Sequence, residues 1–158
     1  VVISILFFSK KNNLNYKIYF DTVSSVAPIG IFLGRVSNFI NAELYGIPTD
    51  KPWGIIFPNI DNLSRHPSQI YEALLEGVVL FIILNILIYI KKNKNGLLSC
   101  IFIILYGLFR IICEQFREPD VHIGYILNYF TVGSFLSTVM VIMGLILLLN
   151  IIYAKENR

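Results

Sequence analysis

Charge is what this chain has least of: only 15% of its 158 residues are Asp, Glu, Lys or Arg, against about a quarter in a soluble domain. That shortage excludes an ordinary cytosolic globule. Glycine (10) and proline (6) are not in excess either, and with 56% hydrophobic residues this rules out collagen-like repeats and disorder. Only two cysteines occur, Cys100 and Cys113, in one apolar stretch. On a helix they lie roughly 20 Å apart, beyond disulfide reach. His66 and His122 are far apart, and no Cys-x-x-Cys or His-x-x-x-His spacing is present, so nothing supports a structural zinc site. Nor is there a long basic stripe. The net charge is +3 and the basic residues form short clusters at the ends of apolar runs, which points to membrane topology and away from nucleic acid. What is plentiful is apolar sequence, with a mean hydropathy of +0.69.

Three runs are long enough to cross a bilayer core, which takes about 20 helical residues: 68–90, 97–115 and 126–153. A fourth, 18–34, is short and carries Asp21 and Pro28, so it crosses only with its polar groups facing protein or a wet cavity. Residues 1–8 are apolar and run into Ser9-Lys10-Lys11-Asn12-Asn13. Such a piece covers roughly 12 Å of a core about 30 Å thick and reads as the last turns of a span. The chain also starts with Val, and the expectation is an N-terminally truncated membrane protein. Lys10, Lys11 and Lys17, then Lys91, Lys92 and Lys94, then Lys155 and Arg158 all fall on one face, which the positive-inside rule makes cytoplasmic. Residues 34–67 and 117–124 fall on the other. The expected fold class is an all-α integral membrane protein: a polytopic helical bundle with about four spans, a partial one, and a small outer-face head loop at 45–66. That loop, with Pro48, Pro52, Pro58 and Trp53, has the punctuation of turns and short extended pieces.

Ionisable residues inside spans are expensive and mark candidate sites. Tyr106, Arg110 and Glu114 recur at i, i+4 and i+8 on one helical face, continued by Arg117. A structural ion pair tying helices together is one reading; a guanidinium fork for a phosphate is the other. Arg65-His66-Pro67-Ser68-Gln69-Ile70-Tyr71-Glu72 opens a helix with Pro67 in its first turn, and Gln69, Glu72 and Glu76 make one polar face. Two carboxylates one turn apart need a cationic partner, and Arg35 and Arg110 are available. In 34–46, Arg35 and Asn38 share a face while Asn41 and Glu43 follow at the membrane exit. This is either an amphipathic exit helix or a site for a polar headgroup.

At these residues the sequence resembles the prolipoprotein diacylglyceryl transferase family. Its signature G-R-hydrophobic-G-N-F-I-N-G-E-L-x-G is matched by Gly34, Arg35, Val36, Asn38, Phe39, Ile40, Asn41, Glu43, Leu44 and Gly46. A His-Pro-[Ser/Thr]-Gln-Leu-Tyr-Glu run appears as residues His66 to Glu72, and the late Tyr-Gly, Arg, Glu, Arg, Pro-Asp pattern as Tyr106-Gly107, Arg110, Glu114, Arg117, Pro119 and Asp120. The resemblance implies a seven-helix bacterial inner-membrane fold, with a head on the outer face and a cavity open to lipid. Residues 1–158 would form a partial transmembrane transferase domain. The implied reaction moves the diacylglyceryl group of phosphatidylglycerol to the lipobox cysteine thiol of preprolipoproteins and releases glycerol 1-phosphate, with no cofactor or metal. Arg35 and Arg110, with Tyr106, are the candidate catalytic residues. Asn38, Asn41, Glu43, Gly46, His66, Gln69, Glu72 and Glu114 are the candidates for binding substrate or bracing the arginines.

Ser37 and Ala42 replace two glycines of the signature, and the His-Gly-Gly motif expected before residue 1 has no counterpart, since the chain contains no His-Gly pair. An enzyme is therefore weighed against a noncatalytic membrane remnant that binds lipid or a partner fragment, and against a small transporter whose buried charges line a path.

Overall fold

The computed structural model describes residues 1–90, 94–119, 125–126 and 130–153. Lys91, Lys92, Asp120, His122, Lys155 and Arg158, named above, lie outside the described residues. The helices are α1 (Val2–Lys11), α2 (Tyr16–Ile40), α3 (Ser68–Glu72), a π-helical segment (Ala73–Val79), α4 (Leu80–Ile90), α5 (Leu97–Glu114) and α6 (Val132–Tyr153). Among the described residues, four rods are long and apolar enough to cross a membrane: Tyr16–Ile40, Ser68–Ile90, Leu97–Glu114 and Val132–Tyr153. With so few interior side chains, the bundle turns most of its leucines and isoleucines outward, Leu136, Ile142, Leu145 and Ile146 on α6 among them. That distribution suits a lipid solvent.

Two boundaries differ from the sequence expectation. The 18–34 span is part of a longer helix, Tyr16–Ile40, so Arg35 and Asn38 sit within a rod and not beyond its end. Asn15 starts it, accepting a hydrogen bond from the Lys17 amide at 3.1 Å, and Pro28 is carried inside it, buried. The last span begins at Val132 and not at 126. Tyr125–Ile126 (β3) pairs antiparallel with Phe130–Thr131 (β4), and the Thr131 hydroxyl accepts the Ser134 amide at 3.1 Å, the cap that opens α6.

The dry centre is Leu80, Leu84 and Leu98, packed by Phe102, Leu105 and Phe109. Asp21 solves its own burial by crossing to α5. Its carboxylate accepts from the Gly96 amide (2.6 Å), the Ser99 amide (2.9 Å) and the Ser99 hydroxyl (2.6 Å), taking up donors that a helix start leaves open. Cys100 and Cys113 are both free and buried.

The head between Tyr45 and His66 is small. Ile55–Ile56 (β1) pairs antiparallel with Ser64–Arg65 (β2), and single bridges join Gly46 to Arg117 and Pro48 to Arg65. The Gly46 bridge ties the head to the chain just beyond α5. The turn leading into it, 41–46, holds Ala42 and Leu44 at φ +54° and +55°. Ser68 and Gln69 fix that turn, donating to the carbonyls of Leu44 (3.0 Å) and Glu43 (2.7 Å).

Candidate active site

Where the rods meet below the head, three guanidinium groups face three carboxylates. Arg35 comes from α2, Glu72 and Glu76 from α3 and the π segment, and Arg110, Glu114 and Arg117 from α5 and its end. Arg35 Nε lies 3.1 Å from Glu72 Oε2 and its Nη2 lies 3.2 Å from Glu76 Oε2. Arg110 Nη1 hydrogen-bonds Glu72 Oε1 and lies 3.7 Å from Glu76 Oε1, while its Nη2 is 2.8 Å from Glu114 Oε2. Arg117 Nη1 approaches Glu72 Oε1 at 3.8 Å. Glu72 and Glu76 are 0% exposed, so each carboxylate has given up water for arginine. Such a set persists only because every charge is matched.

Local backbone places these groups. The π turn brings Gly77 against α2 so closely that a Cβ there would lie 2.7 Å from Phe32 Cβ, and this approach sets Arg35, one turn on, beside Glu76. At the other side, a Cβ on Gly133 would lie 2.5 Å from Glu114 Oε1. The bare Gly133 lets Glu114 rest on the first turn of α6, where the helix dipole favours an anion.

Arg35 also lines a cavity of about 220 Å³ with Ile31, Gly34, Asn38 and Tyr106. Two of its nitrogens are fixed on the glutamates, and its remaining nitrogen, Nη1, forms no ion pair among the described residues. Tyr106 is stacked on Phe102 with ring centroids 5.9 Å apart, which holds its ring at the cavity wall. Guanidinium, amide and phenol around one void suit an oxyanion carrying a polar head. Among the described residues, no group of three or more His, Cys, Asp or Glu side chains is placed to hold a metal ion.

The remaining sequence candidates lie elsewhere. Asn41 caps the end of α2 and is exposed, as is Glu43. Gln69 does not brace the arginines: its hydrogen bond goes to the Glu43 carbonyl, because its side chain points to the head turn. Gly46 is buried, donating its N–H to the His66 carbonyl at 3.0 Å. His66 belongs to an aromatic cluster. Its Nδ1 lies 3.0 Å from the Tyr71 hydroxyl, which accepts from Trp53 Nε1 at 2.9 Å, and Phe116 packs on its ring. A separate ion cluster anchors the head: Arg65 Nη2 to Asp61 at 2.6 Å, and Nη1 to Glu118 at 2.5 Å and to the Gly46 carbonyl at 3.0 Å, with the guanidinium 4.8 Å from the Tyr45 ring centroid. The Arg65 hydrogen bond holds the Asp61 carboxyl below its ordinary value, and Asp61 in turn raises Arg65.

The family model described as Prolipoprotein diacylglyceryl transferase matches residues 1–150. This chain belongs to that family. Curated relatives named phosphatidylglycerol–prolipoprotein diacylglyceryl transferase agree. The Rickettsia typhi protein is 49% identical over 146 residues, covering 91% of this chain and 56% of the relative. The Rickettsia felis protein is 50% identical over 146 residues with the same coverage, and the Rickettsia bellii protein 47% over 153 residues, 95% of this chain and 58% of its own. The chain thus spans a little over half the length of these transferases. Four apolar rods together with this family make it a multi-pass membrane protein.

The sequence pattern offered Arg35 and Arg110 to the paired carboxylates Glu72 and Glu76, and the structure brings them together, but Glu76 was not among the candidate site residues. Its signal was the seven-residue step from Gln69. Gly133 had no signal before α6 was placed.

Proposed function

We propose that this chain supplies the anion-handling part of a phosphatidylglycerol–prolipoprotein diacylglyceryl transferase. It works in a bacterial inner membrane, with the lysine-bearing ends of the helices cytoplasmic, and with the cavity and the 45–66 head toward the outer face. The observation that carries this reading is Arg35, anchored through two nitrogens on buried glutamates and standing in a cavity wall with Asn38 and Tyr106.

The chemistry asked of the site follows from the bond that breaks. The cysteine sulfur attacks the glycerol carbon of the lipid, a thioether forms, and the carbon–oxygen bond to phosphate takes its electron pair to the departing oxygen. The thiol proton ends on the released glycerol 1-phosphate. Negative charge gathers on the leaving phosphate, and fixed guanidinium groups lower that barrier without reorganising. Arg35 and Arg110 fill this role, Asn38 and Tyr106 orient the head of the lipid, and Glu72, Glu76 and Glu114 keep the forks aimed. The buried glutamates leave the cluster near neutral, so an arriving phosphodiester is not held too tightly to leave. Asn41, Glu43 and His66 lie toward the head, where the peptide substrate would approach.

The test is a chimera in which residues 1–150 replace the matching region of the Rickettsia typhi relative. It is assayed in phosphatidylglycerol membranes with a cysteine-bearing prolipoprotein peptide for release of glycerol 1-phosphate. Turnover is expected, falling about 10²-fold in Arg110→Lys, since a point charge does not reproduce the fork. A chimera that inserts but releases nothing, beside an active parent, would leave only a noncatalytic lipid-binding role.

A further inference from the structure

At the opposite end of the rods from the arginines, α2, α5 and α6 enclose a second cavity of about 380 Å³, within the ~300–1,000 Å³ range of ligand sites. Phe20, Cys100, Leu147 and Ile151 make its wall apolar, and Lys17 and Asn150 contribute polar side chains. Gly96, at φ +95°, provides the floor for the lysine: Lys17 Cδ and Cβ lie 3.4 and 3.6 Å from where a Gly96 Cβ would be, so the aliphatic stem is seated against protein. The natural helical partner of Lys17 is Asp21, four residues on. That carboxylate is taken up by the Gly96 amide and by the amide and hydroxyl of Ser99. The ion pairs among the described residues all involve arginines, and Lys17, in none of them, lines the cavity. Lys10 and Lys11 close α1 at the same end.

We infer that this cavity binds an anionic phospholipid of the leaflet at the lysine end, with an acyl chain along Phe20, Leu147 and Ile151 and the phosphate against Lys17 and Asn150. An apolar slot alone would take any acyl chain. Lys17 selects the headgroup, because a zwitterionic lipid brings its own cation against it. The site stands apart from Arg35 and depends on no part of the transferase reading.

The experiment places the 158-residue chain in phosphatidylcholine nanodiscs. Phosphatidic acid or phosphatidylcholine probes bearing the same diazirine-tipped chain are added separately, and adducts are mapped by peptide mass spectrometry. Adducts on Phe20, Leu147 or Ile151 are expected at roughly fivefold excess for the phosphatidic acid probe. Lys17→Gln should bring the ratio near one, Lys17→Arg should keep it, and Leu147→Trp, which fills the slot, should remove adducts from both probes. Equal labelling of the unmodified chain by the two probes, or an unchanged ratio in Lys17→Gln, would overturn the assignment.

Discussion

Arg35 and Arg110 share Glu72 inside the bundle, whereas Arg65 shares Asp61 and Glu118 in the head, and the same chemical groups have different consequences in the two places. In the bundle, Glu72 and Glu76 are fully buried and three cations meet three anions. In the head, one arginine faces two acids, and Glu118 keeps 38% of its side chain exposed. Water reaches the Glu118 carboxylate and does not reach those of Glu72 and Glu76. The bundle cluster also borders a cavity through Arg35, while the Arg65 guanidinium is used up on Asp61, Glu118, the Gly46 carbonyl and the Tyr45 ring. One cluster borders the void proposed to take a ligand, and the other holds a loop.

The contrast is broken most directly at Glu72. Glu72→Ala removes the carboxylate shared by Arg35, Arg110 and Arg117, leaves three guanidinium groups to two carboxylates between the helices, and should cost about 3–5 kcal/mol in unfolding measured in micelles, whereas Glu118→Ala should cost under about 1 kcal/mol. Equal losses would erase the distinction. Gly77→Ala comes next: its methyl must push Phe32 and α2 away, for about 1–3 kcal/mol, and should pull Arg35 from Glu76. In the chimera that shift should lower turnover more than it lowers expression.

A smaller effect of opposite sign is expected at the turn joining bundle to head. Ala42 stands at φ +54°, a conformation that is unfavourable for an L side chain, so Ala42→Gly should stabilise by about 1 kcal/mol. The smallest effect is the pH response of the head. Because Arg65 depresses the Asp61 carboxyl, the stability it contributes is complete above its ordinary value of 3.8 and is lost as pH falls through its lower folded value. Trp53, the single tryptophan, reports on the head. The acid transition in its emission should lie below about pH 4, and Arg65→Gln should move that transition to higher pH.

The helical stacking of Tyr106, Arg110 and Glu114 was legible from spacing, because one helix fixes it, and Arg110 does meet Glu114 at 2.8 Å. The need of Glu72 for a cation was legible from the cost of burying a carboxylate. Arg35 and Arg110 were the cations the sequence offered, and both meet it; the geometry was not legible, since Arg35 arrives from another rod through a contact that depends on Gly77 and the π turn. His66 sat in a motif beside Gln69 and Glu72, yet its ring joined Tyr71, Trp53 and Phe116, because packing at the head outweighed adjacency in sequence. The start of α6 was misplaced because apolar residues from 126 onward suit a strand as well as a helix, and the Thr131 cap decides where the helix opens.

By itself the sequence determined the solvent, the number of crossings and the list of charges to be buried, since apolar run lengths and the scarcity of charge follow from bilayer thickness and the cost of desolvation. Only the tertiary structure decided how closely, and through which atoms, those charges meet. Arg35 and Glu76 are 41 residues apart in the chain and 3.2 Å apart in space, a proximity set by how closely two helices pack and carried by no local pattern.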